Sequence, residues 1–274
     1  MRKVFLLAFI IGISINLMAQ QKSNYTLVWS DEFEKDGLPD PAKWGYEQGF
    51  VRNEEAQWYQ PENAHCKKGM LTIEARKEEK HNPGYVVGSR DWRKNRKTIY
   101  YTSACLITAG KQTWKYGRFE MRGRIDISDG MWPAWWTLGV DKEWPSNGEI
   151  DIMEYYRGKL LANIACLGKD GNTEWHSNTF PVDSMGGIGW VSKFHVWRMD
   201  WTEEFIALYV DDQLLNKVAI DVLVNKDGTE FNPFKQPHYM LINLAVAGQN
   251  GGDPSHTTFP RKLEVDYVRV YQEK

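Results

Sequence analysis

Short stretches in which apolar and polar residues alternate one for one recur along this chain, and that period of two constrains its fold more than any other feature. Gly117-Arg118-Phe119-Glu120-Met121-Arg122 puts Arg118, Glu120 and Arg122 on one face and Phe119 and Met121 on the other, the pattern of a strand with one side buried. Leu263-Glu264-Val265-Asp266-Tyr267-Val268-Arg269-Val270-Tyr271 repeats it near the C-terminal end, and Met70-Leu71-Thr72-Ile73-Glu74-Ala75 is a further β-rich run. Phe205-Ile206-Ala207-Leu208-Tyr209-Val210, a pair of aspartates and then Gln213-Leu214-Leu215 read as a hairpin. Amphipathic helical stretches are scarce. Many short strands punctuated by Gly, Asp, Asn and Pro predict an all-β sandwich or jelly roll.

The chain of 274 residues is long enough for one such sandwich. No linker, low-complexity tract or internal repeat divides it, so residues 20–274 are expected to form a single domain. Residues 1–19 read as a signal peptide. Met-Arg-Lys is the positive end, residues 4–17 are almost unbroken in apolar character, and Ala19 precedes the cleavage point. The apolar run is shorter than the roughly 20 residues that span a bilayer. The mature protein is therefore expected to be exported, periplasmic or extracellular, and without a membrane attachment. A net charge of -2 gives no basic excess of the kind that nucleic-acid binders carry. Cys66, Cys105 and Cys166 lie far apart without metal-ligand spacing and are expected to be buried thiols.

Glu149-Ile150-Asp151-Ile152-Met153-Glu154 combines β-formers with three acids. In a regular strand Glu149 and Asp151 share a face and Glu154 falls out of phase by one residue. A one-residue bulge near Met153 would return it to the acidic face, and bulges are common beside active sites. Solvated acids on an exposed strand are the alternative, but they leave the third acid and the aromatic flank unexplained: Trp144 lies five residues upstream, and Trp132, Trp135 and Trp136 precede it. Paired carboxylates beside aromatics fit glycoside hydrolysis, where one acid is ionised and the other protonated. A shared bulged strand favours the short separation, roughly 5–5.5 Å, of a mechanism that retains configuration.

At these residues the chain resembles glycoside hydrolase family 16, the laminarinase and β-glucanase type, whose E-[IL]-D-x-x-E signature Glu149 to Glu154 match. The similarity extends, in family order, through Trp29-Ser30-Asp31-Glu32-Phe33, Asn53-Glu54-Glu55-Ala56-Gln57-Trp58-Tyr59, Tyr116-Gly117-Arg118-Phe119-Glu120, Trp132-Pro133-Ala134-Trp135-Trp136, Phe194-His195 and the closing Val265 to Tyr271 segment. The resemblance implies a concanavalin-like β-jelly-roll of two curved antiparallel sheets, with a substrate cleft on the concave face. It implies that Glu149 is the nucleophile, Glu154 the general acid/base and Asp151 the supporting acid. Trp132, Trp136 and Trp144 become sugar-stacking candidates, at least one of them expected to pack in the core. Asn53 and His195 become polar cleft candidates, with a structural role the alternative for His195. Glu32, the Gly69 carbonyl and Asp266 match positions that hold a structural calcium in many members, and oxygen donors suit that ion. No cofactor is implied for catalysis.

The expected function is that of a secreted, retaining endo-glycosidase, acting as a monomer on a polysaccharide, foremost a β-1,3- or mixed β-1,3/1,4-glucan. A β-galactan of the agar, porphyran, carrageenan or mucin type is the alternative substrate. A non-catalytic glycan-binding jelly roll is the alternative class, although it would have no use for both Glu149 and Glu154. Two places depart from the common laminarinase pattern. Residues 81–97 form a long basic stretch with Arg90, Trp92, Arg93, Lys94, Arg96 and Lys97, either a solvated loop or a rim that meets an anionic glycan. The segment after the acidic run, Arg157 to Cys166, lacks the His-containing strand often found there.

Overall fold

The structure, a computed structural model, describes residues 25–274; the expected signal peptide lies outside the described residues. Strands dominate, and the α-helices among the described residues are single four-residue turns such as Trp92–Asn95 and Gly248–Gly251. Two stacked sheets, one of ten strands and one of seven, make the jelly roll. Pairing is antiparallel throughout except between Gln57–Tyr59 and Thr98–Ser103. Among the described residues no helix is long and apolar enough to cross a membrane.

The alternating runs lie where their period places them. Gly117–Arg124 and Arg261–Glu273 pair at the centre of the ten-stranded sheet. Phe119, Met121, Val268 and Val270 point into the core and are fully buried. The hairpin forms between Phe205–Val210 and Gln213–Ala219. Its turn residues Asp211 and Asp212 both take positive φ, 47° and 65°, which suits the short turns that match strand twist. The three cysteines are free and buried.

The seven-stranded sheet carries the site on four of its strands. The acidic strand is Glu149–Tyr156. The tryptophan strand, Met131–Gly139, pairs on one side of it. The asparagine strand, Lys159–Leu167, pairs on the other. Beyond the asparagine strand, Thr173–Pro181 closes the sheet as its edge strand. On the tryptophan strand, Met131 and Trp135 enter the core between the sheets, whereas Ala134 and Trp136 face outward. That outward face is the floor of the cleft.

Candidate active site

The bulge lies where strand parity requires it. Asp151 is opposite Trp136 and Met153 opposite Trp135, so two steps on the acidic strand match one on its neighbour. The asparagine strand shows the same slip, with Asp151 opposite Asn163 and Glu154 opposite Leu161. Ile152 and Met153 both turn into the core, each fully buried, and Glu154 returns to the side of Glu149 and Asp151. Burying two successive apolar side chains is what fixes the register, because a one-residue slip would drive them out of the core. Gly148 sets the entry to this strand. Its φ is +76°, and a Cβ there would lie 2.8 Å from Pro233, so only glycine fits.

The three acids line a cavity of about 590 Å³ together with Asn53, Trp132, Trp136 and Trp144. Their donors are neutral. The Trp144 indole donates to Glu149 (2.5 Å) and the Trp132 indole to Glu154 (2.7 Å). The Asn163 amide donates to both Asp151 (3.1 Å) and Glu154 (2.9 Å). Burial raises the pKa of all three. Asp151 is pushed well above the usual carboxylate range by burial and then by the charges of Glu149 and Glu154. A proton held there can be shared with Glu149, and that hydrogen bond, with the one from Trp144, works against the burial that raises Glu149. Glu154 is pushed up to about 7 by burial, helped by the Glu149 charge and opposed by the hydrogen bonds from Trp132 and Asn163. Three buried acids whose proton affinities are raised against different opposing hydrogen bonds, one of them to about 7, are therefore brought together on a single strand face.

Trp132 and Trp136 are each 7% exposed, and both line the cleft. All three candidate tryptophans line the cleft, and the expectation that at least one packs in the core holds for Trp136, buried in a small cluster with Tyr59, Cys105, Ala134 and Leu241; the tryptophan of this strand in the main core is Trp135. Trp132 is committed to Glu154, and Trp136 donates to Asn243 at 2.8 Å. Trp144 is half exposed. Asn53 reaches the cleft because it and Glu54 both adopt left-handed backbone, with φ of 54° and 51°, a conformation Asn tolerates better than most residues. Gly248 seals this bend from behind: a Cβ there would lie 2.8 Å from the Asn53 carbonyl oxygen.

His195 is a correction. It lies on His195–Trp201 in the ten-stranded sheet, away from the cleft. Both ring nitrogens are taken by the protein, Nδ1 with the Asp211 carboxylate and Nε2 with the Trp190 carbonyl, and the ring stacks on Trp190 at 3.7 Å. Its role is structural, and adjacency to Phe194 in a motif could not reveal which sheet it joins.

Glu32 and Asp266 also lie off the cleft. The Glu32 carboxylate is held at both oxygens by Arg269 (2.9 and 2.7 Å), and Asp266 pairs with Arg122 (2.6 Å). Gly69 packs against the Glu32 carbonyl oxygen, which would sit 3.9 Å from a Cβ placed on it. Of the expected calcium set, the side chains of Glu32 and Asp266 are committed to Arg269 and Arg122.

Several cleft residues were not singled out from the sequence. Asn163 is the most consequential, and only the pairing register places it opposite Asp151. Glu55 and Gln57 continue the period-two pattern begun by Asn53, which was a legible signal. Gln57 and Asn53 donate to the Glu55 carboxylate at 2.6 and 3.3 Å. Arg52 lies over Trp136, 5.0 Å from the ring centroid, and is paired with Glu47. Two cations of the basic stretch brace this same segment. Arg93 donates to the Val51 carbonyl, and Arg96 to those of Glu54 and Glu55. Those two arginines support the cleft wall from outside, which neither reading of that loop foresaw.

A jelly roll with three acids gathered by a bulge across its cleft defines a glycoside hydrolase, and the chain belongs to Glycosyl hydrolases family 16, whose family model matches residues 52–269. Among its relatives, a β-glucanase of Rhodothermus marinus is 38% identical over 99% of this chain and 94% of that protein. The solved structure of the laminarinase from Rhodothermus marinus aligns with a TM-score of 0.72 at 37% identity, covering 90% of this chain and 97% of that one. A structure from a study of endo-acting O-glycanases that initiate mucin breakdown, expressed by human gut microbiota, aligns with a TM-score of 0.83 at 31% identity, covering 92% of each chain.

Proposed function

We propose that this protein is an exported, retaining endo-glycosidase that cleaves β-1,3- or mixed β-1,3/1,4-glucan. The observation that carries the mechanism is the bulged strand, which sets Glu149, Asp151 and Glu154 on one face, with Trp144 donating to the first, Asn163 to the other two and Trp132 to the last. Glu149 attacks the anomeric carbon while Glu154 gives its proton to the leaving oxygen. Glu154 then takes a proton from the water that releases the sugar from Glu149. Asp151 keeps its proton and hydrogen-bonds Glu149, limiting the charge on the nucleophile before attack and stabilising it on departure. The R. marinus β-glucanase and laminarinase support a glucan substrate. The pattern of residues 1–19 supports export.

A second substrate reading has its own support. The higher TM-score with the structure from the O-glycanase study, at similar coverage, favours a galactose-containing mucin-type chain with the same mechanism. A digest panel of laminarin, mixed-linkage glucan, agarose, porphyran and mucin glycans decides between them, with products sized. Release of short oligosaccharides from laminarin supports the glucan. Release from mucin glycans alone transfers the function to the second reading. Binding without cleavage of any of them would sink the enzyme.

A calcium ion held by the Glu32 and Gly69 carbonyls and an Asp266 carboxylate released from Arg122 would serve stability, since it lies away from the cleft. Under this proposal calcium raises Tm over EDTA by a few degrees without changing kcat. An unchanged Tm removes the ion from the account.

A further inference from the structure

The cleft wall formed by the asparagine and edge strands carries groups that the catalytic trio does not use. The Asn163 nitrogen donates to Asp151 and Glu154. Its other end, Oδ1, is buried with no partner, in a side chain that is 4% exposed and lines the cleft. A buried acceptor left unpaired is costly, and the cavity it borders is where a ligand could supply a donor. Ser177 lies directly opposite Asn163 on the edge strand, and Trp175 lies opposite Ala165, which is itself opposite Glu149. Facing residues on neighbouring strands stand side by side on one surface. Trp175 is 46% exposed, a large apolar ring left in water on the edge strand beside the nucleophile.

We propose that Asn163, Trp175 and Ser177 form a sugar subsite on the far side of the catalytic strand from Trp136, and that it holds the ring that leaves. The apolar face of that ring lies on Trp175, one of its hydroxyls donates to Asn163 Oδ1, and the Ser177 hydroxyl meets another. Asn163 assigns the leaving side. It shares its amide with Glu154, so its free oxygen stands beside the place where the glycosidic oxygen is protonated. As the Glu149 oxygen bonds to the anomeric carbon, the bond to the leaving oxygen breaks and the Glu154 proton moves to that oxygen. The departing chain leaves this subsite as an alcohol.

This inference rests on the retaining-glycosidase reading, and two substrates separate them. Laminaritetraose places a sugar in the subsite, whereas an aryl β-laminaribioside places only the aryl group there. Trp175→Ala is expected to lower kcat/KM on laminaritetraose about tenfold and on the aryl glycoside less than twofold, and Trp175→Phe to restore most of the loss. Ser177→Ala follows the same selectivity with a smaller effect. Asn163→Ala, which also strips a donor from Glu154, lowers both substrates but laminaritetraose several-fold more. Equal losses on the two substrates for Trp175→Ala, or none on either, overturn the subsite while the wild-type turnover leaves the glycosidase standing. A wild-type protein inactive on both would overturn the β-glucan reading and, with it, this subsite for a glucose ring.

Discussion

Two faces of this sandwich carry acids, and they surround them differently. On the outer face of the ten-stranded sheet several acids meet an arginine across the ladder: Arg118 holds Asp200 (2.7 and 3.1 Å), Arg124 holds Glu264 and Arg269 holds Glu32, and Glu120, which pairs with none of them, is raised by burial. The Glu32 carboxyl is accordingly drawn below its usual range, chiefly by its hydrogen bond from Arg269. On the cleft face Glu149, Asp151 and Glu154 receive hydrogen bonds from indoles and an amide, and burial drives them upward. An arginine partner favours the charged form of a carboxylate and adds to the framework. Asp151 and Glu154, given only neutral donors in a desolvated groove, hold protons that chemistry can use.

The largest expected effect comes from removing the one cleft acid that must stay ionised. Glu149→Ala should lower kcat by about 10⁴-fold or more. Azide should restore turnover by forming a glycosyl azide of inverted configuration, observable by NMR; unimpaired hydrolysis by the variant would take Glu149 out of the role. Stability offers the next contrast. Glu154, held at about 7, binds its proton more tightly in the folded than in the unfolded chain. The folded state therefore loses stability as pH rises from the unfolded carboxylate range through 7. Glu154→Gln should stabilise the protein by roughly 1–3 kcal/mol at pH 8 and hardly at all at pH 4, as denaturant titrations at the two pH values would show. A gain of the same size at both pH values would mean that Glu154 is not held protonated.

The alkaline limb of the rate profile should lie near 7, since the acid must carry its proton to act. Trp132→Phe removes a hydrogen bond that favours the charged form of Glu154, so this limb should move upward; a downward move would break the assignment of that indole. The smallest effect on activity belongs to the other face. Arg118→Ala should lower stability by about 1 kcal/mol, as expected for a part-exposed pair, and leave kcat within twofold. A change in the rate profile would show that the two faces are not independent.

Much of this was legible in the residues. The period of two in Gly117–Arg124 and Arg261–Glu273 announced strands with one buried side, because a strand's faces are set by position along the chain. The same parity exposed Glu154 as out of phase and required a bulge between it and Asp151. Asn163, Trp175 and Ser177 carried no comparable signal. Their place depends on which strand pairs with which and in what register, and a single Asn in an apolar stretch does not reveal the carboxylates opposite. His195 failed for the same reason: its motif fixed its neighbours in the chain but not the sheet it joins.

What the sequence determined by itself was local in origin: the strands, the hairpin at Asp211 and Asp212, the acidic run and the need for its bulge. All of these follow from backbone geometry and from the burial preference of residues one or two places apart. Tertiary structure decided which charges were neutralised. Arg269 lies 237 residues from Glu32 and Arg122 lies 144 residues from Asp266, while Glu149, Asp151 and Glu154 came to rest beside Trp144, Trp132 and Asn163. An acid's proton affinity is set by burial and by its nearest donors, and those are fixed only once the sheets have closed.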